Sequence, residues 1–164
     1  MDCCARTRTG GRQACPACKQ VGRRVGDETI RAMLDPAQAE RLLSVERRFC
    51  RTPSCEVLYY GPHGSIARKQ DARVRVGLKE TRDPIPLCYC FGFDRADVER
   101  EIAGTGGCTI PERISAEIRA GRCACEIKNP SGQCCLGEVR AAVSKELLRA
   151  GLTHRRSRAS AEEA

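Results

Sequence analysis

The sequence has no tryptophan, and its 164 residues hold only three phenylalanines, three tyrosines and two methionines. Its hydrophobic core must therefore be built largely from aliphatic side chains, and a nucleic-acid surface cannot rest on a row of aromatic stacking faces. The two histidines, His63 and His154, are isolated in a turn and a tail, and neither is assigned as a metal ligand. No nucleophile–base pair or substrate-pocket signature stands out, so an enzyme is the least favoured reading. No apolar run is long enough to span a membrane. The start, Met1-Asp2-Cys3-Cys4-Ala5-Arg6, lacks the apolar segment of an export signal. These absences point to a cytoplasmic protein of one domain or two small lobes.

Cysteine, by contrast, is abundant. Thirteen in 164 residues, about 8%, is the level at which composition alone indicates a cross-linked or metal-bound scaffold. Disulfides are the plain alternative, but in a reducing cytosol paired cysteines more often bind metal or do redox work. The net charge of +8, from 29 basic and 21 acidic residues, first raises nucleic acid as a partner. The basic residues are spread out, with local groups only at Arg6–Arg12, Arg23–Arg24 and Arg155–Arg158. A solvated surface explains them better, and nucleic acid is disfavoured.

Residues 1–13 are polar and rich in Arg and Gly, and are expected to be a disordered tail. Cys3-Cys4 within it would either capture a soft ion such as Cu(I) or remain unligated. Order is expected from Cys15-Pro16-Ala17-Cys18, a C-x2-C pair whose complement is the C-x4-C of Cys50 and Cys55. Two thiol pairs on turns make a tetrahedral Cys4 zinc site, closed and therefore structural. Between them Glu28–Leu34 and Pro36–Leu43 form short elements, the second reading as a helix from its leading Pro and from Ala39, Leu42 and Leu43. Val57–Tyr60 reads as a strand, with further short strands at Ile66 and Val74–Val76. Residues 14–80 are thus a ribbon-like zinc-binding lobe. Lys79–Pro86, with Pro84 and Pro86, reads as an extended passage out of it.

The following stretch, 81–150, carries Cys88-Tyr89-Cys90, then Cys123-Ala124-Cys125 and Cys134-Cys135. A C-x-C is too short for an ordinary zinc knuckle. Four thiolates supplied as two close pairs suit a [2Fe–2S] centre. A second structural zinc is the competing reading. Asp94 and Asp97 mark a helix start with Phe93 stapled over Val98, and Val98 and Ile102 give its inner face. Gly104–Gly107 ends it. Thr109-Ile110-Pro111-Glu112 reads as a capping box for a helix with Ile110, Ile114 and Ile118 inward, stopped by Gly121. A third helix follows Cys135 with Val139, Val143 and Leu147, ending at Gly151. Cys90 and Cys134-Cys135 lie just ahead of helix N-termini, whose N–H groups favour an anionic cluster. Cys108 has no identifiable partner. Residues 151–164 form a mixed-charge tail, and there is no internal repeat.

Cys88-Tyr89-Cys90-Phe91-Gly92-Phe93 and Cys125-Glu126-Ile127-Lys128-Asn129-Pro130-Ser131-Gly132-Gln133-Cys134-Cys135-Leu136-Gly137 strongly resemble the N-terminal domain of CopZ-type copper chaperones. So do Arg48–Val57 and Arg73–Glu80, and the similarity extends over about residues 14–145. The C-terminal half is also similar to bacterioferritin-associated ferredoxin. The resemblance implies an α+β protein with a zinc lobe followed by a helical [2Fe–2S] lobe. Zinc would be held by Cys15, Cys18, Cys50 and Cys55. The cluster would be held by Cys88, Cys90, Cys125 and Cys135, with Cys123 and Cys134 as alternates. It further implies single-electron chemistry such as Cu(II) to Cu(I), with copper as a third candidate metal. Such chaperones usually continue into a heavy-metal-associated domain with a Met-x-Cys-x-x-Cys loop. The sequence ends at Ala164 without one, so a copper chaperone or copper-transporting protein is expected in trans, together with an electron donor of unknown identity. A ferredoxin-like electron-transfer partner without a copper role, and a zinc-dependent nucleic-acid-binding module, are the alternatives.

Overall fold

The structure, a computed structural model, describes residues 13–152. The expectations for Cys3-Cys4, for His154 and for most of both tails lie outside the described residues. The protein is mixed α and β. The first part folds as β1 (Arg23–Arg24), α1 (Asp27–Met33), α2 (Pro36–Glu40), β2 (Arg48–Phe49), β3 (Val57–Tyr60) and β4 (Ile66–Arg68). The four strands make one antiparallel sheet in the order β1-β2-β3-β4. The second part is a hairpin of β5 (Pro86–Cys88) and β6 (Phe93–Asp94), followed by α3 (Arg95–Thr105), α4 (Ile110–Arg119), α5 (Cys125–Lys128) and α6 (Leu136–Arg149).

All four residues of β3 are buried because both faces of the strand are covered, and the irregular pairing with β4 between Val57 and Tyr59 breaks simple alternation between those faces. Leu58 and Tyr59 enter a core with Ile30, Met33, Leu34, Leu42 and Phe49. Val57 and Tyr60 instead pack around the thiols of Cys15, Cys50 and Cys55. In the second part Val98, Ile102, Ile110, Ile114, Val139, Val143 and Leu147 form a separate core among α3, α4 and α6. The inward positions expected for these helices are the buried ones, except that Ile118 is only half-buried against this core. Each such side chain contributes roughly 1.5–3 kcal/mol when fully buried.

The helix boundaries follow local chemistry. Asp94 accepts a hydrogen bond from the Asp97 N–H at 2.9 Å, and Asp97 accepts one from the Asp94 N–H at 3.0 Å, closing the cap of α3. Gly106 ends α3, and Gly121 and Gly151 follow α4 and α6, all with positive φ near 70°.

Four expectations are corrected. The helix at Pro36 stops at Glu40, and residues 41–44 continue only as turns. Val74–Val76 is not a strand: it runs into a 3-10 turn at Gly77–Lys79 whose leading N–H is bonded to a tyrosine side chain instead of a neighbouring strand. Thr109 forms no capping box with Glu112, because its N–H and hydroxyl both donate to Glu101 on α3, at 2.8 and 2.7 Å. The passage Lys79–Pro86 is not extended throughout: Lys79 is buried at the end of the 3-10 turn, Glu80 pairs with Lys69 and Arg75, and Pro86 already belongs to β5.

Candidate metal centres

The first site is built from two turns. Cys15 and Cys18 lie on the loop closed by the Cys15 N–H to Gln20 carbonyl bond of 2.8 Å. Cys50 and Cys55 follow β2 and precede β3, with the Cys50 N–H donating to Leu58 at 2.8 Å. The four sulfurs lie within 4.8 Å of one another. Cys15 is 3.9 Å from Cys55, and Cys18 is 3.6 Å from Cys50. A tetrahedral zinc–thiolate site with bonds near 2.3 Å has sulfur–sulfur edges of about 3.8 Å. The donor set fits zinc in kind and in spacing.

The electrostatics are uneven across the four thiols, and burial raises Cys15 as well as Cys50. Burial pushes Cys50 up to about 12, whereas Cys18, despite its own desolvation, is brought down to about 6 by the Thr52 hydroxyl, 3.1 Å away, and by the Gln20 backbone. Lys79 carries its ammonium into the site. Its Nζ donates to the carbonyls of Thr52 and Cys55, both at 2.8 Å, and its charge favours the Cys50 thiolate. Sequence reading gave Lys79 to a linker. A buried lysine bonded to the loop of Cys50 and Cys55 is legible only once the fold brings them together.

The second set of cysteines lies on three loops. Cys88 ends β5 and Cys90 sits in the hairpin turn. Cys125 opens α5, and Cys135 is the N-cap residue of α6. Cys90 and Cys125 sulfurs are 3.6 Å apart, the same separation as Cys18 and Cys50. Cys88 is brought down to about 6 by the Cys135 side chain beside it, and Cys135 is raised correspondingly. Cys88, Cys125 and Cys135 are buried and Cys90 is half-buried. Of the alternates, Cys123 is half-buried and Cys134 is exposed. Among the described residues, the first site is the only group of three or more potential ligands gathered within 4.8 Å. In the second set Cys90 and Cys125 make a close pair, and Cys88 and Cys135 are buried in one core with α3, α4 and α6.

Cys135 stands at a helix N-terminus as expected, but Cys90 does not, because β6 intervenes before α3. Cys90 instead accepts a hydrogen bond from the Ala124 N–H at 3.3 Å, and the backbone N–H groups of Phe91 and Cys90 favour the Cys88 thiolate. The loop between Cys125 and Cys135 is shaped by Asn129, whose amide donates to the Gln133 carbonyl at 2.7 Å and whose oxygen accepts from the Ser131 N–H at 3.0 Å. A cavity of about 410 Å³ opens between the two parts, with Phe49, Gly77, Tyr89, Pro130 and Cys135 among its walls. Cys108 is half-buried against the helical core, 3.5 Å from Glu101, and His63 occupies a turn with positive φ.

A family model described as a zinc binding domain, that of CopZ, matches residues 12–73, the segment containing all four cysteines of the first site. The chain is 30% identical to the copper chaperone CopZ of Archaeoglobus fulgidus over a 164-residue alignment covering 85% of this chain and 71% of that protein. The chain belongs to the CopZ family. Its backbone also matches the X-ray structure of the Archaeoglobus fulgidus CopZ N-terminal domain, with a TM-score of 0.64 at 28% identity. That match spans 85% of this chain and 98% of the solved domain. Membership of the CopZ family supports a role in metal handling, and the match over residues 12–73 supports zinc at the Cys4 site. Among the described residues, no helix is long and apolar enough to cross a membrane.

Proposed function

We propose that this CopZ-family protein is a redox accessory of copper or related soft-metal handling in the cytoplasm. In this reading residues 14–80 bind a structural zinc through Cys15, Cys18, Cys50 and Cys55. Residues 81–150 hold a [2Fe–2S] cluster through Cys88, Cys90, Cys125 and Cys135. The observation that carries it is the Cys90–Cys125 contact at 3.6 Å, with Cys88 and Cys135 buried together in one core. Two thiolate pairs suit the two irons of such a centre better than one tetrahedral zinc. When bound, a [2Fe–2S] centre supplies one-electron transfer at a potential set by its surroundings.

The chain's own groups prepare that site. Backbone N–H groups of Cys90, Phe91 and Ala124, with the N-terminus of the 14-residue α6, offer partial positive charge to anionic sulfur. Buried Cys88 and Cys135 keep one side from water, while Cys90 approaches the surface. Copper(II) is the substrate in this reading. It takes up one electron and leaves as copper(I), the form that soft thiolate sites prefer. A copper-carrying or copper-transporting protein supplied in trans would accept it, and a separate donor would supply the electron.

The test is Cu(II) reduction by dithionite-reduced, desalted protein in the presence of a Cu(I)-specific chromogenic chelator. Wild type should yield rapid Cu(I) formation, and Cys88→Ser should lose that rapid phase together with its iron. Equal rates for the two proteins would assign the reduction to free thiols and reject the cluster as its source.

A further inference from the structure

The two hydrophobic cores are separate, yet hydrogen bonds cross between them at the loops that carry the second set of cysteines. Tyr89 stands between Cys88 and Cys90. The Gly77 N–H donates to its hydroxyl at 2.8 Å, and the hydroxyl donates to the Arg75 carbonyl at 3.0 Å. Gly77 begins the turn that ends at Lys79, and Lys79 is bonded to the Thr52 and Cys55 carbonyls of the zinc loop. A continuous tie thus runs from Cys55 through Lys79 and Gly77 to the loop of Cys88 and Cys90. At Gly77 a side chain has no room, because a Cβ would meet the Pro86 carbonyl at the start of β5.

A second tie reaches the segment that carries Cys125 and Cys135. Tyr59, four residues after Cys55 in β3, donates its buried hydroxyl to the Pro130 carbonyl at 2.6 Å. Thr29 of α1 donates to the Glu126 carbonyl at 2.7 Å, and Gly132 lies directly against the Thr29 side chain. Glu126, Pro130 and Gly132 all belong to the segment joining Cys125 to Cys135. Each of the two segments that carry the proposed ligands, Cys88–Cys90 and Cys125–Cys135, is therefore bonded to the zinc lobe through residues that are not ligands.

We propose that Tyr59 and Tyr89 are positioning residues for the [2Fe–2S] cysteines, and that zinc at Cys15, Cys18, Cys50 and Cys55 governs how firmly the chain retains its cluster. This rests on the cluster reading above. The physical link is that the thiols are themselves the centre of the small core that includes Val57 and Tyr60. Metal binding there is folding free energy for β3 and for the Lys79 turn. Outer hydrogen bonds of this kind orient ligands and tune a bound centre.

The experiment uses the full chain, anaerobically loaded, as wild type, Tyr59→Phe, Tyr89→Phe and zinc-stripped wild type. Three properties are read: iron release to a chelator, the midpoint potential, and the electron paramagnetic resonance spectrum of the reduced protein. Phe keeps the ring and removes only the hydroxyl. Each variant should keep one zinc per chain, release iron about tenfold faster, and shift in potential and spectrum. Zinc-stripped wild type should release iron at least as fast as the variants. Wild-type release, potential and spectrum in both variants overturn the positioning role, and unchanged retention after zinc removal overturns the zinc link. A wild-type chain that takes up no iron at all refutes the cluster reading, and this inference with it.

Discussion

Lys79 offers the sharpest single-residue test of how the first site is held. Its side chain is 5% exposed, and its ammonium bonds two carbonyls of the loop between Cys50 and Cys55. A zinc ion with four thiolates carries a formal charge of about −2, which this cation partly offsets. Lys79→Met keeps the aliphatic stem and removes the charge. Two hydrogen bonds from a charged donor are worth about 1.5–3 kcal/mol each, and two carbonyls would be left unpaired. Against this stands relief of the cost of burying an ammonium, leaving a net loss of about 3 kcal/mol. In a domain of this size that lowers Tm by roughly 6–12 °C. Zinc should also pass more readily to a competing chelator. The assay is a thermal melt of the zinc-loaded chain with a parallel chelator titration, repeated at high salt, which should change little because the charge is buried. A variant with wild-type Tm and wild-type zinc retention would refute the reasoning.

Gly77→Ala should destabilise the protein and loosen the Cys88 loop, read as lower Tm and faster iron loss, because its Cβ would strike the Pro86 carbonyl. Ile114→Ala, at 1% exposure in the helical core, should cost about 2–5 kcal/mol in chemical denaturation. Cys125→Ser and Cys135→Ser should lose iron, whereas Cys123→Ser and Cys134→Ser should retain it on elemental analysis; the opposite pattern reverses the ligand choice. Asp97 is held below its ordinary value of 3.8 by the Asp94 backbone N–H and then by Arg100. Its stabilising contribution is full above about pH 4 and fades as pH falls through the depressed folded value. The Tm gap between wild type and Asp97→Asn should therefore be widest near neutrality and close in acid.

How much of this was legible in the sequence depends on whether a pattern encoded it. The C-x2-C and C-x4-C pairs announced the Cys4 site because zinc fixes its ligands at short local spacings. Asp94 with Asp97, and the i, i+4 spacing of Ile110 and Ile114, announced helices because caps and periodicity are local. Thr109 and Glu112 had the right spacing for a cap, yet Glu101, eight residues before Thr109 and on another helix, took its donors. Spacing alone left Cys125 and Cys123 as rivals, as it did Cys135 and Cys134. Burial of Cys125 and Cys135, and the Cys90–Cys125 contact, support the proposed choice. The bonds made by Lys79, Tyr59 and Tyr89 left no local trace, since their partners lie 24, 71 and 12 residues away.

The central claim is a two-metal protein, and metal and acid-labile sulfide analysis of anaerobically purified protein, with its visible absorption spectrum, tests it most directly. The account predicts about two iron, two sulfide and one zinc per chain in a brown protein. Two zinc ions, no sulfide and no colour would contradict it, leaving a purely structural or binding module.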